Sequence, residues 1–323
     1  MRHRVLITAP YFQPVAGRFA ERFARAGIEP MLPTVRERLS EAELLPLVED
    51  IDGALCGDDA YTERVLAHAP RLRVIAKWGT GIDSIDLEAC RRRGIVVCNT
   101  PDAFTEPVAD TTMGYILTLV RQLHLLSHDL KQGRWHKRPA PSLRECTVGL
   151  IGVGHIGRSV ALRLMPFGAR VLGCDPVRPP EAFLARCPIQ LVELEPLLQA
   201  SDVVSIHCNL NPTSRHLLNA QTLAILKPGA VVINTARGPI IDEPALVRAL
   251  DEARVAGAAL DVFEEEPLSA SSPLRGMPQV LLAAHAANSS PLAWERVHDN
   301  TLRQLIAHLR AAPRLTAADA VSP

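Results

Sequence analysis

The sequence predicts an α/β protein made of two doubly wound parallel-sheet domains. Short runs rich in Val and Ile alternate with helix-like segments along almost the whole chain of 323 residues. This alternation is typical of βαβ units, and the runs are continuously apolar because helices cover both faces of a parallel sheet. The runs fall into two series, and the second begins near residue 147. The length also fits two domains, at roughly 100–200 residues each.

The first series predicts strands at residues 5–9, 28–32, 53–56, 74–78 and 96–98. A long helix is expected from Thr105, as its N-cap, to about Gln132, and it leads into the second series. Another long helix begins at Ser290 and could return the chain to the first domain. We therefore expect a discontinuous, flavodoxin-like substrate domain of residues 1–100 and 289–323. A Rossmann domain of residues 101–288 is inserted into it.

Composition excludes several classes of protein. The 35 Lys and Arg balance the 35 Asp and Glu, and 47% of the residues are hydrophobic, so the chain is not disordered. A nucleic-acid or membrane-surface binder would need a basic excess. The uncharged stretches fall short of the ~18 residues that span a bilayer, and no secretory signal follows Met1, so a cytoplasmic protein is expected. Seven cysteines without a C-x-x-C pair predict reduced thiols and no metal site.

The second series opens with a dinucleotide-binding pattern. A strand at 148–151 leads into G-V-G-H-I-G, which starts at Gly152, and then into a helical stretch and a strand ending at Asp175. Gly152 permits the tight turn, Gly154 lets the backbone approach a pyrophosphate, and Gly157 allows close packing of helix on strand. Asp175 would accept hydrogen bonds from the adenosine ribose and repel a 2′-phosphate. The pattern therefore predicts NAD rather than NADP as the cofactor.

Three charged or titratable residues follow successive strands of the second series. Arg237 follows the strand at 230–234, Glu266 the strand at 258–262, and His285 the strand at 280–284. The carboxyl ends of parallel strands line the ligand crevice. Arg can hold a carboxylate in bidentate fashion and polarise a neighbouring carbonyl group. His can protonate a developing alkoxide, and Glu can favour the charged imidazole. This set fits hydride transfer between NAD(H) and a 2-hydroxy acid or 2-oxo acid.

The chain resembles the D-isomer-specific 2-hydroxyacid dehydrogenase family over almost its whole length. The matching stretches are GLIGVGHIG with Asp175, LKPGAVVINTARGPIIDEPAL, GAALDVFEEEPL and the region of His285. The resemblance implies that Arg237, Glu266 and His285 are catalytic, with His285 as general acid and base. It also implies cofactor contacts by Gly152, Gly154, His155, Ile156, Gly157, Asp175, Thr235, Ala236, Arg237, Asp261 and His285. Substrate contacts are implied for Lys77, Trp78, Gly79, Thr80, Gly81 and Arg237, where backbone N–H groups would cradle a carboxylate.

The resemblance leaves the substrate open. Residues 77–110 look most like phosphoglycerate-type and broad-specificity members. However, Gly57-Asp58-Asp59 stands where phosphoglycerate dehydrogenases often carry Arg-Ser, and an acidic pair is a poor phosphate ligand. We expect small 2-oxo acids, such as glyoxylate, hydroxypyruvate or an apolar-chain analogue, to be preferred. The alternatives are a short-form D-3-phosphoglycerate dehydrogenase and an NAD(H)-sensing, corepressor-like scaffold.

The resemblance also implies a homodimer, with the segment around Trp135 as part of its arm. Ala284 replaces the Pro that usually precedes the catalytic His.

Overall fold

The structure, a computed structural model, describes residues 2–311. The chain forms two compact units. One unit comprises the chain up to Ala103 together with the segment that starts at Ser290, and the other is Phe104–Ser289. Residues 312–323, which complete the predicted substrate domain, lie outside the described residues. No helix in the described range is long and apolar enough to cross a membrane.

The first unit contains a five-stranded parallel sheet. Its strands are β1 (His3–Ile7), β2 (Ile28–Met31), β3 (Gly53–Cys56), β4 (Val74–Lys77) and β5 (Val96–Cys98), in the order β2-β1-β3-β4-β5. That is the flavodoxin-like order, with a topological switch point between β1 and β3. The connecting helices are α1 (Ala20–Ala26), α2 (Glu41–Leu44), α3 (Glu63–Ala67) and α4 (Leu87–Arg93). Every residue of β3 and β4 is buried, as expected for the centre of a covered sheet.

The second unit contains a seven-stranded parallel sheet. Its strands are β6 (Thr147–Ile151), β7 (Arg170–Cys174), β8 (Ile189–Leu191), β9 (Val203–Ile206), β10 (Val231–Asn234), β11 (Gly257–Leu260) and β12 (Val280–Leu282). The order β12-β11-β10-β9-β6-β7-β8 is that of a Rossmann sheet and confirms the predicted fold class. Neighbouring residues such as Val232 and Ile233 belong to separate core clusters, because side chains alternate between the faces of the sheet. The short edge strand β8 was not predicted.

The helices of the second unit correct one prediction. They are α5 (Thr105–Val120), α6 (Leu123–Lys131), α7 (His155–Leu164), α8 (Glu181–Leu184), α9 (Leu194–Ala200), α10 (Ala220–Ala224) and α11 (Glu243–Asp251). A single helix from Thr105 to Gln132 is therefore wrong. Gln122 adopts a left-handed conformation, with φ of 50°, and this ends α5 and starts α6. Phe104, not Thr105, is the N-cap residue of α5.

The long helix α12 (Pro291–Arg310) belongs to the first unit and runs antiparallel to β4. It starts as predicted, because the Ser290 hydroxyl accepts a hydrogen bond from the Ala293 N–H. Arg73, just before β4, donates to backbone carbonyl groups at the end of α12. Trp78, just after β4, donates to His298 near its start. The N-terminal part of α12 therefore lies at the carboxyl edge of the first sheet.

Candidate active site

The turn after β6 can be built only with glycine at two positions. Gly152 has φ of 95°, and a Cβ atom there would lie 2.5 Å from the backbone nitrogen of Cys208. A Cβ atom on Gly157 would lie 2.1 Å from the carbonyl oxygen of Gly152. Both obstacles are backbone atoms, which cannot rotate away. The start of α7 is therefore pressed against β6 and β9, at the point where the order of the second sheet reverses.

Gly154 serves a different purpose from these two glycines. It is the N-cap residue of the ten-residue helix α7, and a Cβ atom on it would meet no heavy atom within 4 Å. The fold therefore does not need glycine here, whereas a ligand that approaches the backbone does. The first N–H groups of a helix and its dipole favour a bound phosphate at such a point. These residues fit the pyrophosphate of a dinucleotide.

Asp175 is held beside this turn by two backbone donors. Its Oδ2 accepts a hydrogen bond of 2.7 Å from the Val153 N–H, and its Oδ1 accepts one of 2.8 Å from the Val177 N–H. Each carboxylate oxygen has a second lone pair, so both can still accept from a ribose hydroxyl. The carboxylate is therefore oriented before any nucleotide arrives.

His207 and Cys208 also lie at this turn, and the sequence analysis did not select them. They follow β9 and contact Gly152 with their backbone. Burial lowers the pKa of His207 to about 3, so its imidazole is neutral near pH 7. Its Nε2 lies 2.9 Å from the Ser205 hydroxyl. Their place at the carboxyl end of a central strand was the signal available in the sequence.

The loop after β10 carries Arg237 and is closed by Asn234. The Asn234 side-chain amide donates to the Arg237 carbonyl at 2.8 Å and accepts from the Ala236 N–H at 3.0 Å. Thr235 is buried, with its hydroxyl 3.2 Å from that of Thr112 on α5. A Cβ atom on Gly238 would lie 1.9 Å from the Phe263 backbone, so this loop packs directly on the loop after β11.

Glu266 and His285 form a hydrogen-bonded pair. The imidazole Nδ1 of His285 lies 3.1 Å from Oε2 of Glu266. The other carboxylate oxygen of Glu266 accepts a hydrogen bond of 3.0 Å from the Phe263 N–H, which fixes the carboxylate. Both side chains keep some exposure, 23% for His285 and 18% for Glu266. A carboxylate anchored on backbone therefore orients an imidazole that solutes can reach, which is the arrangement that proton transfer needs.

Asp261 holds the segment that carries His285. Its carboxylate oxygens accept hydrogen bonds from the N–H groups of Ala286 (2.9 Å) and Ala287 (3.0 Å), and its carbonyl group accepts from the His285 N–H (2.7 Å). His285 itself has φ of 50°, an uncommon backbone conformation for a residue other than glycine. Burial raises the pKa of the Asp261 carboxyl group. This positioning role was not foreseen, and the cofactor contact that the resemblance implies for Asp261 stays a prediction.

The predicted substrate loop lies in the first unit, directly after β4. Gly79 has φ of 124°, and its carbonyl group accepts a hydrogen bond of 2.9 Å from the Thr100 N–H. Asn99 donates to the Thr80 carbonyl at 2.6 Å, so the segment after β5 fixes the loop. Thr80 is exposed and Gly81 is half-buried. The loop therefore presents accessible backbone at the carboxyl edge of the sheet.

Lys77 and the acidic pair after β3 have structural partners. The buried Nζ of Lys77 lies 3.1 Å from Oδ1 of Asp58. Asp59 is fully buried and accepts hydrogen bonds from the Thr8 hydroxyl and the backbone N–H groups of Gly57 and Leu39. Burial raises the pKa of the Asp59 carboxyl group, while these donors oppose the rise. The charge of Lys77 is thus balanced within the protein.

The remaining candidate groups in residues 2–311 are metal-ligating side chains and cysteine thiols. In that range no group of three or more His, Cys, Asp or Glu residues is arranged to hold a metal ion. All seven cysteines are free thiols. Burial raises the pKa of Cys90 and of Cys98 to about 12, so these thiols stay protonated near pH 7.

Comparisons with known proteins agree with this geometry. Residues 113–287 match the family model described as D-isomer specific 2-hydroxyacid dehydrogenase, NAD binding domain. The chain is 39% identical over 278 residues to a glyoxylate reductase of Thermofilum pendens, which covers 84% of this chain and 82% of that protein. It is 40% identical over 235 residues to human D-3-phosphoglycerate dehydrogenase, across 72% of this chain but only 44% of that longer protein.

A solved structure extends the likeness to both units. D-lactate dehydrogenase from Aquifex aeolicus, complexed with NAD and lactic acid, superposes with a TM-score of 0.85 at 27% identity and covers 95% of each chain. The match of the family model covers more than half of this chain, and it lies within the second unit. The protein belongs to the D-isomer specific 2-hydroxyacid dehydrogenase family, and it is an oxidoreductase that uses NAD.

Proposed function

We propose that the protein interconverts a small 2-oxo acid and the corresponding D-2-hydroxy acid, with His285 as the general acid and base. The observation that carries the proposal is the His285–Glu266 pair at 3.1 Å, in which the backbone of Phe263 holds the carboxylate. A carboxylate at this distance favours the protonated imidazole. It also leaves the ring in one orientation for proton transfer.

Each residue then has a definite task in the reaction. When bound, NADH supplies the hydride that reduces the carbonyl carbon. With Nδ1 directed at Glu266, His285 delivers its proton to the carbonyl oxygen through Nε2, and in the reverse direction it takes the hydroxyl proton. Arg237 holds the substrate carboxylate and polarises the carbonyl group. In the first unit, the family resemblance assigns the backbone N–H groups of Gly79–Gly81 as donors for a substrate carboxylate.

The relatives support small, unphosphorylated acids as substrates. A glyoxylate reductase matches most of this chain, and a D-lactate dehydrogenase shares its fold over both units. Phosphoglycerate dehydrogenases match too, but the chain spans under half of their length. Lys77, a candidate cation for a phosphate, is paired with Asp58. Short-form phosphoglycerate dehydrogenase is therefore the second candidate.

The test compares two matched histidines. His285→Asn should lower kcat for NADH-dependent reduction of a 2-oxo acid by about 10²–10⁴-fold and leave the Kd for NADH nearly unchanged. His216→Asn is the control, because His216 also has a positive φ (49°) and pairs with Glu264 at 2.6 Å in the same unit. Asn tolerates this backbone conformation at both positions. The control should keep kcat within about twofold.

A second variant tests the role of the carboxylate. Glu266→Gln should shift the pH profile of kcat toward lower pH, because the imidazole loses the anion that favours its protonated form. Wild-type turnover in His285→Asn, or equal losses in both histidine variants, would contradict the catalytic assignment. A protein that binds NADH but consumes none with any 2-oxo acid would instead be the NAD(H)-sensing scaffold.

We also propose that the protein is a homodimer joined through the segment around Trp135. Leu123, Leu130 and Trp135 are apolar side chains with 50%, 57% and 87% exposure, which is typical of a surface that a partner covers. Buried Asp129 braces the segment by ion pairs with Arg134 (2.7 Å) and other basic residues nearby. Sedimentation should give a dimer, and Leu130→Lys together with Trp135→Lys should give a monomer. A monomeric wild type would refute this.

A further inference from the structure

Three large aromatic rings meet at the carboxyl edge of the first sheet. The ring centroids of Tyr11, Trp78 and Trp294 lie 4.9–5.8 Å apart in all three pairs. The chain has only three Trp and three Tyr, so half of these residues are gathered at one point. Trp78 is buried, whereas Tyr11 and Trp294 are half-buried and keep part of their surface accessible. These three rings, called the aromatic wall below, therefore present an accessible surface and are not simply part of the core.

A buried hydrogen bond fixes the orientation of the Trp78 ring. The indole N–H of Trp78 donates a hydrogen bond of 2.9 Å to Nδ1 of His298, and both side chains are buried. His298 in turn packs edge-on against the ring of Phe12, with centroids 5.5 Å apart. A fixed ring loses little entropy when a ligand binds, so preorganised aromatic surface binds apolar groups well. The buried Nε1 of Trp294 has no hydrogen-bond partner within residues 2–311.

The position of the wall relates it to the substrate loop. Tyr11 follows β1, Trp78 follows β4, and Trp294 lies in the first turn of α12, at the same edge of the sheet. Trp78 directly precedes Gly79–Gly81, which we propose to hold the substrate carboxylate. The side chain of a 2-oxo acid starts on the carbon next to the carbonyl carbon, so it extends from a point close to that carboxylate.

We infer that Tyr11, Trp78 and Trp294 form an aromatic subsite that binds the side chain of the 2-oxo acid. The inference rests on the proposed function and deepens it, because it names the substrate class: 2-oxo acids with a branched aliphatic or aromatic side chain. Apolar side chains gain affinity by leaving water for the ring surfaces. The half-buried rings of Tyr11 and Trp294 supply that surface, and buried Trp78 supports them.

The charges nearby disfavour a phosphorylated side chain. Lys77 is paired with Asp58, and Arg18 makes a bidentate ion pair with Glu295 at 2.7 and 2.8 Å. The guanidinium group of Arg18 also lies over the ring of Phe19. A phosphate placed against the aromatic subsite would therefore lose its water, and both Lys77 and Arg18 already have carboxylate partners. Phosphate recognition requires the opposite, an uncompensated Arg or Lys clamp.

The experiment measures kcat/KM with NADH for glyoxylate, 2-oxo-4-methylpentanoate and 3-phosphohydroxypyruvate. Glyoxylate has no side chain and is the internal reference. The wild type should prefer 2-oxo-4-methylpentanoate to 3-phosphohydroxypyruvate by tenfold or more. Trp294→Ala should lower kcat/KM for 2-oxo-4-methylpentanoate by about 10-fold, mainly through KM, and change that for glyoxylate by less than about threefold. Trp294→Phe keeps an aromatic ring and should retain most of the wild-type kcat/KM for 2-oxo-4-methylpentanoate.

A matched control removes an aromatic ring elsewhere in the same unit. Phe19→Leu alters a buried ring that stacks on Phe12 at 5.2 Å, outside the aromatic subsite, and should leave the ratio between the two substrates unchanged. Equal losses for glyoxylate and 2-oxo-4-methylpentanoate in Trp294→Ala would overturn the inference, as would a preference for the phosphorylated acid. Absence of turnover with every 2-oxo acid would overturn the proposed function itself, and with it this inference.

Discussion

Replacing Gly154 with alanine should separate cofactor binding from folding. Gly154 has φ of −72°, which alanine adopts readily, and the added methyl group would meet no protein atom within 4 Å. The methyl group would instead occupy the space between the start of α7 and the expected pyrophosphate. Gly152→Ala is the contrasting variant, because its methyl group would collide with the Cys208 backbone at 2.5 Å and φ is 95°.

The expected magnitudes follow from these contacts. Alanine is a poorer N-cap residue than glycine by several tenths of a kcal/mol, but it restricts the unfolded chain by a similar amount. The stability of Gly154→Ala without cofactor should therefore change by no more than about 0.5 kcal/mol, or ~2 °C in Tm. The Kd for NADH should rise about 10- to 100-fold, which is ~1.4–2.8 kcal/mol. Gly152→Ala should lose about 3 kcal/mol or more of folding stability from backbone strain and collision.

The assay combines thermal unfolding without cofactor and titration with NADH by calorimetry. Gly114→Ala in α5 is the control, since its methyl group also meets nothing within 4 Å but lies in a helix interior. That variant should gain about 0.5–1 kcal/mol of stability and bind NADH like the wild type. If Gly154→Ala binds NADH with a wild-type Kd, the backbone of residue 154 does not approach the pyrophosphate, and the assignment is refuted.

Three further predictions follow from individual residues. Asp175→Ser should reduce the preference for NADH over NADPH by about tenfold or more in kcat/KM, and a wild type without any preference would contradict this reading. Because burial lowers the pKa of His207 to about 3 in the folded protein, the unfolded state binds more protons between about pH 6.5 and 3. Stability should therefore fall as the pH falls through that range, by up to about 2 kcal/mol at pH 5, and urea titrations of His207→Gln should show a weaker fall. His298→Leu should lose about 1–3 kcal/mol in the same assay, since it removes the acceptor of the buried Trp78 indole N–H, whereas His298→Gln should lose less.

The sequence by itself determined the strands and the dinucleotide turn. Strands of a covered parallel sheet are apolar runs, so the positions of eleven strands could be predicted from residue type. Two local features escaped this reasoning. β8 is a three-residue edge strand with a polar centre at Gln190, and the left-handed Gln122 divides a helical pattern that looks continuous. Neither a short edge strand nor a single backbone dihedral leaves a periodic signal in the sequence.

Only the tertiary structure decided which charged groups meet. Three glutamates stand in a row at 264–266, and the histidines that pair with two of them lie far away in the chain. Glu264 pairs with His216, 48 residues away, whereas Glu266 pairs with His285, 19 residues away. Likewise, Asp58 balances Lys77, although one follows β3 and the other ends β4. The physical reason is that parallel strands bring their carboxyl ends to one edge, where long-range packing, not local pattern, sets the partners and charge of each group.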